Sequence, residues 1–76
     1  MFERIEINPA ICHGQPVVRG TRVTVSQILG SLAGGDSPDT ILEDYPGISR
    51  EDLWAAVSFA SGLARFEEAS YEPSLP

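Results

Sequence analysis

The sequence predicts a small, mostly helical domain in which a short N-terminal β-hairpin precedes a three-helix bundle, with the last two helices forming a helix-turn-helix. The chain has 76 residues, of which 42% are hydrophobic and 21% charged, as is ordinary for one soluble globular domain. Three stretches begin with a hydroxyl side chain typical of helix N-caps and continue with apolar residues at helical period. A domain this small buries only about 60% of the surface of its unfolded chain, so a homodimer is expected.

The β element is predicted at residues 4–25. Residues 4–7 alternate charged and apolar side chains as a strand does, with both isoleucines on one side. Residues 17–18 and 22–23 flank an Arg-Gly-Thr tripeptide. This arrangement indicates a β-hairpin or a tight loop, in which Gly20 supplies a positive φ.

The first helix is predicted at residues 24–34 by its cap and by its end. Thr24 and Gln27 have the spacing of a capping box, in which each side chain binds the other residue's backbone N–H. Gly34-Gly35 ends the helix, because glycine adopts the left-handed conformation without a steric penalty.

Two further helices are predicted at residues 37–45 and 49–65. A Ser-Pro pair opens the second helix, and Pro46-Gly47 ends it. Ser49 and Asp52 then form a variant of the capping box, with Asp for the usual Glu. The last helix carries one apolar stripe at helical period, formed by Leu53, Ala56, Val57, Ala60, Leu63 and Ala64.

A C-terminal tail is predicted to follow a single domain of residues 1–65. Residues 66–76 contain two prolines and three glutamates, so the tail is expected to be flexible. Phe66 and Tyr71 are candidate anchors for a partner protein onto which the tail folds. The alternative is a chain end that stays unstructured.

The charge is unevenly distributed along the chain, whose net charge is −6. Residues 1–35 hold three arginines against two glutamates, whereas residues 36–76 hold two arginines against four aspartates and five glutamates. A nucleic-acid contact would therefore depend on the N-terminal part and on Arg50. The single Cys12, the absence of a membrane-length apolar run and the lack of a signal-peptide pattern in residues 1–10 predict a cytoplasmic protein.

The start of the last helix is the predicted DNA-reading element, because the first residues of a recognition helix reach base edges in the major groove. Arg50 could bind a guanine through two parallel hydrogen bonds, and the helix N-terminus with Ser49 could hold a phosphate. Glu51 and Asp52 would repel phosphates, and the alternative is a purely structural three-helix core. The candidate DNA-contacting residues on this helix are Ser49, Arg50, Trp54 and Ser58.

The turn at residues 19–22 is a second candidate anion site, because the guanidinium groups of Arg19 and Arg22 favour bidentate contacts with oxyanions. The alternative is that Arg22 forms an internal salt bridge to a carboxylate of the acidic helices and so anchors the turn on the bundle.

No catalytic, metal or cofactor site is predicted. Cys12 and His13 are the available nucleophile and base, but adjacent residues rarely point at one atom, and a zinc site requires four ligands. We interpret both as structural loop residues. Trp54 and Phe59 could cover a dimer contact, with core packing as the alternative and partial exposure expected for Trp54.

Two segments carry a family resemblance: residues 9–25, PAICHGQPVVRGTRVTV, and residues 41–49, ILEDYPGIS. They resemble the opening and the second half of the domain-of-unknown-function 433 family of bacteria and archaea, over roughly residues 5–65. The departures are mild, since His13 takes a place often held by Gly. The resemblance implies a homeodomain-like three-helix fold, and it implies an antitoxin of a type II toxin–antitoxin pair, because many members are encoded beside a nuclease-like toxin.

The sequence and the resemblance together predict a non-enzymatic antitoxin-like protein. It would bind a small ribonuclease-like toxin, and operator DNA is a second ligand that the helix-turn-helix would allow. Two alternatives stay open at this point: a stand-alone DNA-binding transcriptional regulator, and a dimeric protein-interaction module without affinity for nucleic acid.

Overall fold

The computed structural model describes the backbone of residues 3–70 and the side chains of residues 3–65. The elements follow in the order β1 (Ile5–Glu6), β2 (Val17–Val18), α1 (Val25–Ala33), α2 (Pro38–Asp44) and α3 (Arg50–Ser70). The predicted fold class, a mostly helical domain with a short N-terminal antiparallel pair of strands, is confirmed. The side chain of Phe66 and all of Tyr71, the two predicted partner anchors, lie outside the described residues.

The two strands pair across a long loop, and β2 is also joined across the Arg-Gly-Thr turn by an antiparallel bridge between Val17 and Thr24. β1 and β2 are antiparallel, with Ile5 opposite Val18. β1 ends at Glu6, so Ile7 lies outside the strand and is not buried as Ile5 is. The exposed fraction of Ile7 is 60%. The backbone N–H of Val18 donates to the carbonyl of Val23 at 2.9 Å, so residues 19–22 form the tight loop and Gly20 has the expected positive φ of 83°.

Both side-chain caps predicted for α1 and α2 are present. Thr24 Oγ1 accepts a hydrogen bond from the backbone of Gln27 at 3.0 Å, while the Gln27 side chain accepts one from the backbone of Thr24 at 2.9 Å. At α2, Ser37 Oγ accepts from the backbone of Thr40 at 3.2 Å, and Pro38 is the first helical residue. These caps satisfy backbone N–H groups that have no partner inside the helix.

The core brings one or two side chains from every element together at the centre of the domain. The largest fully buried side chains are Val17, Val18, Ile28, Ile41 and Leu53. The helices contact each other in all three pairings, and β1 packs on α3. The predicted docking of α3 on α2 is therefore confirmed, since Ile41 and Leu53 belong to one buried cluster.

The third helix is much longer than the other two. It contains 21 residues, against nine in α1 and seven in α2, and it continues five residues beyond the predicted end at residue 65. At 1.5 Å per residue its length is about 31 Å. No helix in the described part of the chain has the length and apolar content needed to cross a membrane.

Candidate nucleic-acid and partner interface

The connection between α2 and α3 is a turn of five residues, 45–49. Tyr45 is the C-cap of α2, and the backbone N–H of Ile48 donates to the Tyr45 carbonyl at 3.1 Å. Pro46 lies between them, where its missing N–H and fixed φ suit a turn. Ile48 is buried beside Leu53, as expected for the apolar contact that fixes the entry angle of a helix. The two helices thus form the predicted helix-turn-helix arrangement.

The first turn of α3 is held by a reciprocal pair of hydrogen bonds. The backbone N–H of Asp52 donates to Ser49 Oγ at 3.1 Å, and the backbone N–H of Ser49 donates to Asp52 Oδ2 at 2.9 Å. Arg4 Nη1 donates to the other carboxylate oxygen of Asp52 at 3.0 Å. The Ser49 hydroxyl oxygen therefore caps the helix, which gives this predicted DNA-contacting residue a structural role.

Asp52 remains ionised in this environment. Its side chain is only 15% exposed, and burial by itself raises the pKa of a carboxyl group. The hydrogen bond from the Ser49 backbone, the bond and charge of Arg4, and the Ser49 hydroxyl outweigh burial and hold the pKa of Asp52 below its ordinary value. The negative charge also lies at the positive end of the α3 dipole.

One side of α3 is exposed for about four turns. We call this side the outer face of α3; its members recur every three or four residues and are Arg50, Trp54, Ser58, Ser61 and Arg65. The opposite side is buried at Leu53 and Ala56. Trp54 is 48% exposed and the Arg50 side chain 53% exposed, so the predicted partial exposure of the tryptophan is confirmed.

Arg65 is an exposed residue of this face that the sequence reasoning missed. The spacing could have identified it, because residues three or four apart share a helix face and such steps lead from Arg50 through Trp54 and Ser58 to Arg65. Among the described residues its side chain forms no hydrogen bond or ion pair. Three of the four predicted DNA-contacting residues of α3 therefore share one face with a second arginine.

Arg50 forms an ion pair with Asp39, which lies in the first turn of α2. Both side chains are exposed, at 53% for Arg50 and 80% for Asp39. The Nη2 group of the guanidinium thus already binds one anionic group. An incoming anion at Arg50 would therefore compete with Asp39.

In the turn at residues 19–22 the two arginines have different surroundings. Arg19 Nε donates to the carbonyl of Glu3 at 2.6 Å and its Nη2 to the carbonyl of Ile5 at 3.4 Å, so Arg19 holds the edge of β1. The side chain of Arg22 is exposed and forms no hydrogen bond or ion pair within the described part of the chain. Within the described residues the internal salt bridge considered for Arg22 does not form, and Arg4 makes a bond of that kind to α3.

A shallow pocket of about 460 Å³ lies beside this turn. Its lining residues are Glu6, Ile11, Gly20, Thr21 and Arg22. It offers one guanidinium and one carboxylate.

The adjoining loop contains three successive residues with positive φ: Cys12 at 49°, His13 at 59° and Gly14 at 81°. A non-glycine residue in this conformation costs about 1–2 kcal/mol. Cys12 Sγ donates to the carbonyl of Arg22 at 3.7 Å, which ties the loop to the turn. No group of three or more His, Cys, Asp or Glu side chains able to hold a metal ion occurs among the described residues.

Comparison with known proteins places these features in a family context. The family model described as "Protein of unknown function (DUF433)" matches residues 5–60. An uncharacterized protein, y4eO of Sinorhizobium fredii, is 40% identical over 58 residues, which are 76% of this chain and 26% of that protein. This chain thus spans about a quarter of the length of that relative. The crystal structure of a DUF433 member from Anabaena variabilis superposes with a TM-score of 0.77 at 30% identity, covering 88% of this chain and 66% of that one.

Proposed function

The chain belongs to the DUF433 family, and on that premise we propose that it is a non-enzymatic, cytoplasmic, antitoxin-like protein that binds a small ribonuclease-like toxin. Operator DNA, bound by the helix-turn-helix, is the second ligand of the proposal. The observation that carries the proposal is the outer face of α3, which presents two arginines, a half-exposed tryptophan and two serines on a helix that follows a tight turn.

The composition of this face suits contact with a nucleic acid or with another protein. Arginine and tryptophan are enriched in both kinds of interface, and serines can reach phosphates or bases. Arg50 is at the start of the second helix of the helix-turn-helix, from which recognition helices contact the major groove. Arg22, which has no partner among the described residues, adds a cation on a turn that is linked to α3 through Arg4.

The acidic remainder of the molecule supports a protein partner. The net charge is −6, and a ribonuclease must attract a polyanion, so its substrate surface is expected to be basic. An acidic protein can associate with such a surface quickly and can cover it. The toxin assignment itself depends on the family resemblance.

The toxin arm is tested by co-expression with the small protein encoded next to this chain. We expect the two to co-purify and expect growth to be arrested when the neighbour is expressed alone. If they do not co-purify and growth is normal without this chain, the antitoxin proposal is wrong.

The DNA arm is tested by electrophoretic mobility shift on the chain's own promoter. Arg50→Ala and Arg65→Ala should each weaken binding, and each should reduce the slope of log affinity against log salt by about 0.9, as expected for one lost phosphate contact. The matched controls, Arg50→Lys and Arg65→Lys, keep the charge and should keep the salt slope. An unchanged slope in both alanine variants would exclude the outer face of α3 as the DNA contact.

A second candidate, a protein-interaction module without affinity for nucleic acid, is favoured by the Arg50–Asp39 pair. In this alternative Arg50 serves to connect α2 and α3. No mobility shift at low salt, where phosphate contacts are strongest, would support it.

A further inference from the structure

An apolar groove lies between α1 and α3, on the side of α3 away from its outer face. Its volume is about 440 Å³, and six of its lining residues carry the argument: Leu29, Gly30, Ala33, Phe59, Ala60 and Leu63. Leu63 is 54% exposed at this groove, although it belongs to the same apolar stripe as the buried Ala56. The apolar stripe of α3 thus continues beyond the residues that α1 of the same chain covers.

The two helices that form the groove carry no charge there. Residues 25–33 and 53–64 contain no Asp, Glu, Lys, Arg or His, although 21% of the chain is charged. Depletion of charged residues distinguishes the centre of a protein interface from ordinary surface. Ala33 and Leu63 are exposed, so burial inside the monomer does not explain why charged residues are absent at these positions. The absence of charge therefore indicates contact with another molecule.

Gly30 adds an independent sign that a second surface comes close. It lies inside α1, where glycine is a poor helix former, and its φ is not positive. A Cβ at this position would meet no atom within 4 Å, so packing inside the monomer does not explain the glycine. The absent side chain leaves the wall of the groove low, which lets another backbone approach closely.

We propose that the occupant of this charge-free groove is a second copy of the same chain, packed about a twofold axis so that α1 and α3 of one copy face α1 and α3 of the other. In a twofold contact both copies use the same surface patch, so a charged patch would face itself. Two copies with a net charge of −6 repel each other, and the charge-free groove lets them meet without opposing carboxylates.

This inference does not depend on the proposed toxin or DNA contacts, because the outer face of α3 stays exposed in such a dimer. The same electrostatics disfavour nucleic acid in the groove, since no cation lines it to hold a phosphate. A dimer of this kind presents two outer faces, one from each copy.

The test is the mass of the full-length chain in solution, measured by sedimentation or light scattering from about 10 μM to about 500 μM protomer. We expect the wild type to reach twice the monomer mass of 8.2 kDa. Gly30→Glu should stay monomeric across the range, because it places a carboxylate in the apolar contact of each copy. Glutamate is a better helix former than glycine, so circular dichroism should show an intact fold.

The matched control is Ser61→Glu, which adds the same charge to the exposed outer face of α3. This variant should dimerise like the wild type. A wild type that is monomeric at every concentration, a dimeric Gly30→Glu variant, or equal loss of the dimer in both variants would overturn the proposal. If the wild type is monomeric and Gly30→Glu also abolishes co-purification with the neighbouring protein, the groove is the binding site of that protein and the dimer proposal is wrong.

Discussion

Replacing Asp52 with alanine tests how the N-terminal element is joined to α3. In the native fold one carboxylate accepts the backbone N–H of Ser49 at 2.9 Å and a hydrogen bond from Arg4 at 3.0 Å. Alanine removes both bonds, and it leaves the half-buried Ser49 N–H without its protein partner. The substitution therefore weakens the cap of α3 and the connection between α3 and β1 at once.

The expected cost is the sum of three contributions. Loss of a capping hydrogen bond to a charged group in a half-buried position costs about 1.5–2 kcal/mol. The bond from Arg4, whose side chain is half exposed, adds about 0.2–1 kcal/mol. Alanine returns about 0.5 kcal/mol because it is a better helix former than aspartate. The free energy of unfolding should therefore fall by about 1–2.5 kcal/mol, or roughly 5–15 °C in Tm for a domain of this size.

The measurement is urea unfolding followed by far-ultraviolet circular dichroism at one fixed protomer concentration. Asp36→Ala is the matched control, because Asp36 is exposed and its side chain forms no hydrogen bond or ion pair among the described residues. The control should unfold within about 0.5 kcal/mol of the wild type. Equal stability of Asp52→Ala and the wild type at neutral pH would refute the role assigned to this carboxylate.

The same variant predicts a pH dependence. The pKa of Asp52 is lowered in the fold, so the carboxylate stabilises the native state fully above its unfolded pKa of about 3.9. That contribution is lost as the pH falls through the folded pKa. The difference in stability between the wild type and Asp52→Ala should be constant from about pH 7 to pH 5 and should shrink below about pH 4. A difference that persists unchanged into strong acid would show that the charge is irrelevant.

Three further predictions address the core, the backbone and the Arg50 pair. Leu53→Ala should cost about 2–5 kcal/mol in urea unfolding, because Leu53 is fully buried between the helices. Alanine at two glycines with open surroundings should act in opposite directions: Gly20→Ala, at φ 83°, should destabilise by about 1 kcal/mol, while Gly30→Ala, in a helix, should stabilise by about 0.5–1 kcal/mol in monomer unfolding. Asp39→Asn should tighten a mobility shift on the promoter by at most about fivefold, because it frees Arg50 from an exposed pair worth about 0.2–1 kcal/mol; weaker binding would contradict this.

The helix starts were predictable because each has a local chemical signature. A hydroxyl side chain three residues before a side chain able to accept a hydrogen bond is enough to identify the caps at Thr24 and Ser49, and both have the predicted reciprocal bonds. The end of α3 has no such signature. Residues 66–70, Phe-Glu-Glu-Ala-Ser, interrupt the apolar stripe, but most of them tolerate a helix well, so the helix runs on to Ser70.

The contacts that join distant parts of the chain were not predictable from spacing. β2 is bridged to Thr24 across the turn, as its spacing predicts, but it also pairs with β1, a partner more than ten residues away, because Ile5 and Val18 are buried in one core. Likewise, any of the arginines could have met a carboxylate of α3. Which one does so depends on the path of the chain, and the pairing of β1 brings Arg4 to Asp52.

The position of Arg50 is the strongest physical reason to expect an anionic ligand. A cation in the first turn of a helix opposes the helix dipole, at a cost of about 0.3–1 kcal/mol. The exposed pair with Asp39 returns about 0.2–1 kcal/mol, so the two effects nearly cancel and stability alone gives no reason for an arginine here. Arg4 differs, because its partner Asp52 is only 15% exposed and also caps α3, whereas Asp39 is 80% exposed. A residue that contributes little to the fold, faces solvent and binds an exposed carboxylate is suited to a ligand that replaces that carboxylate. Substitution of Arg50 is therefore the first test that separates DNA binding from a protein-interaction role.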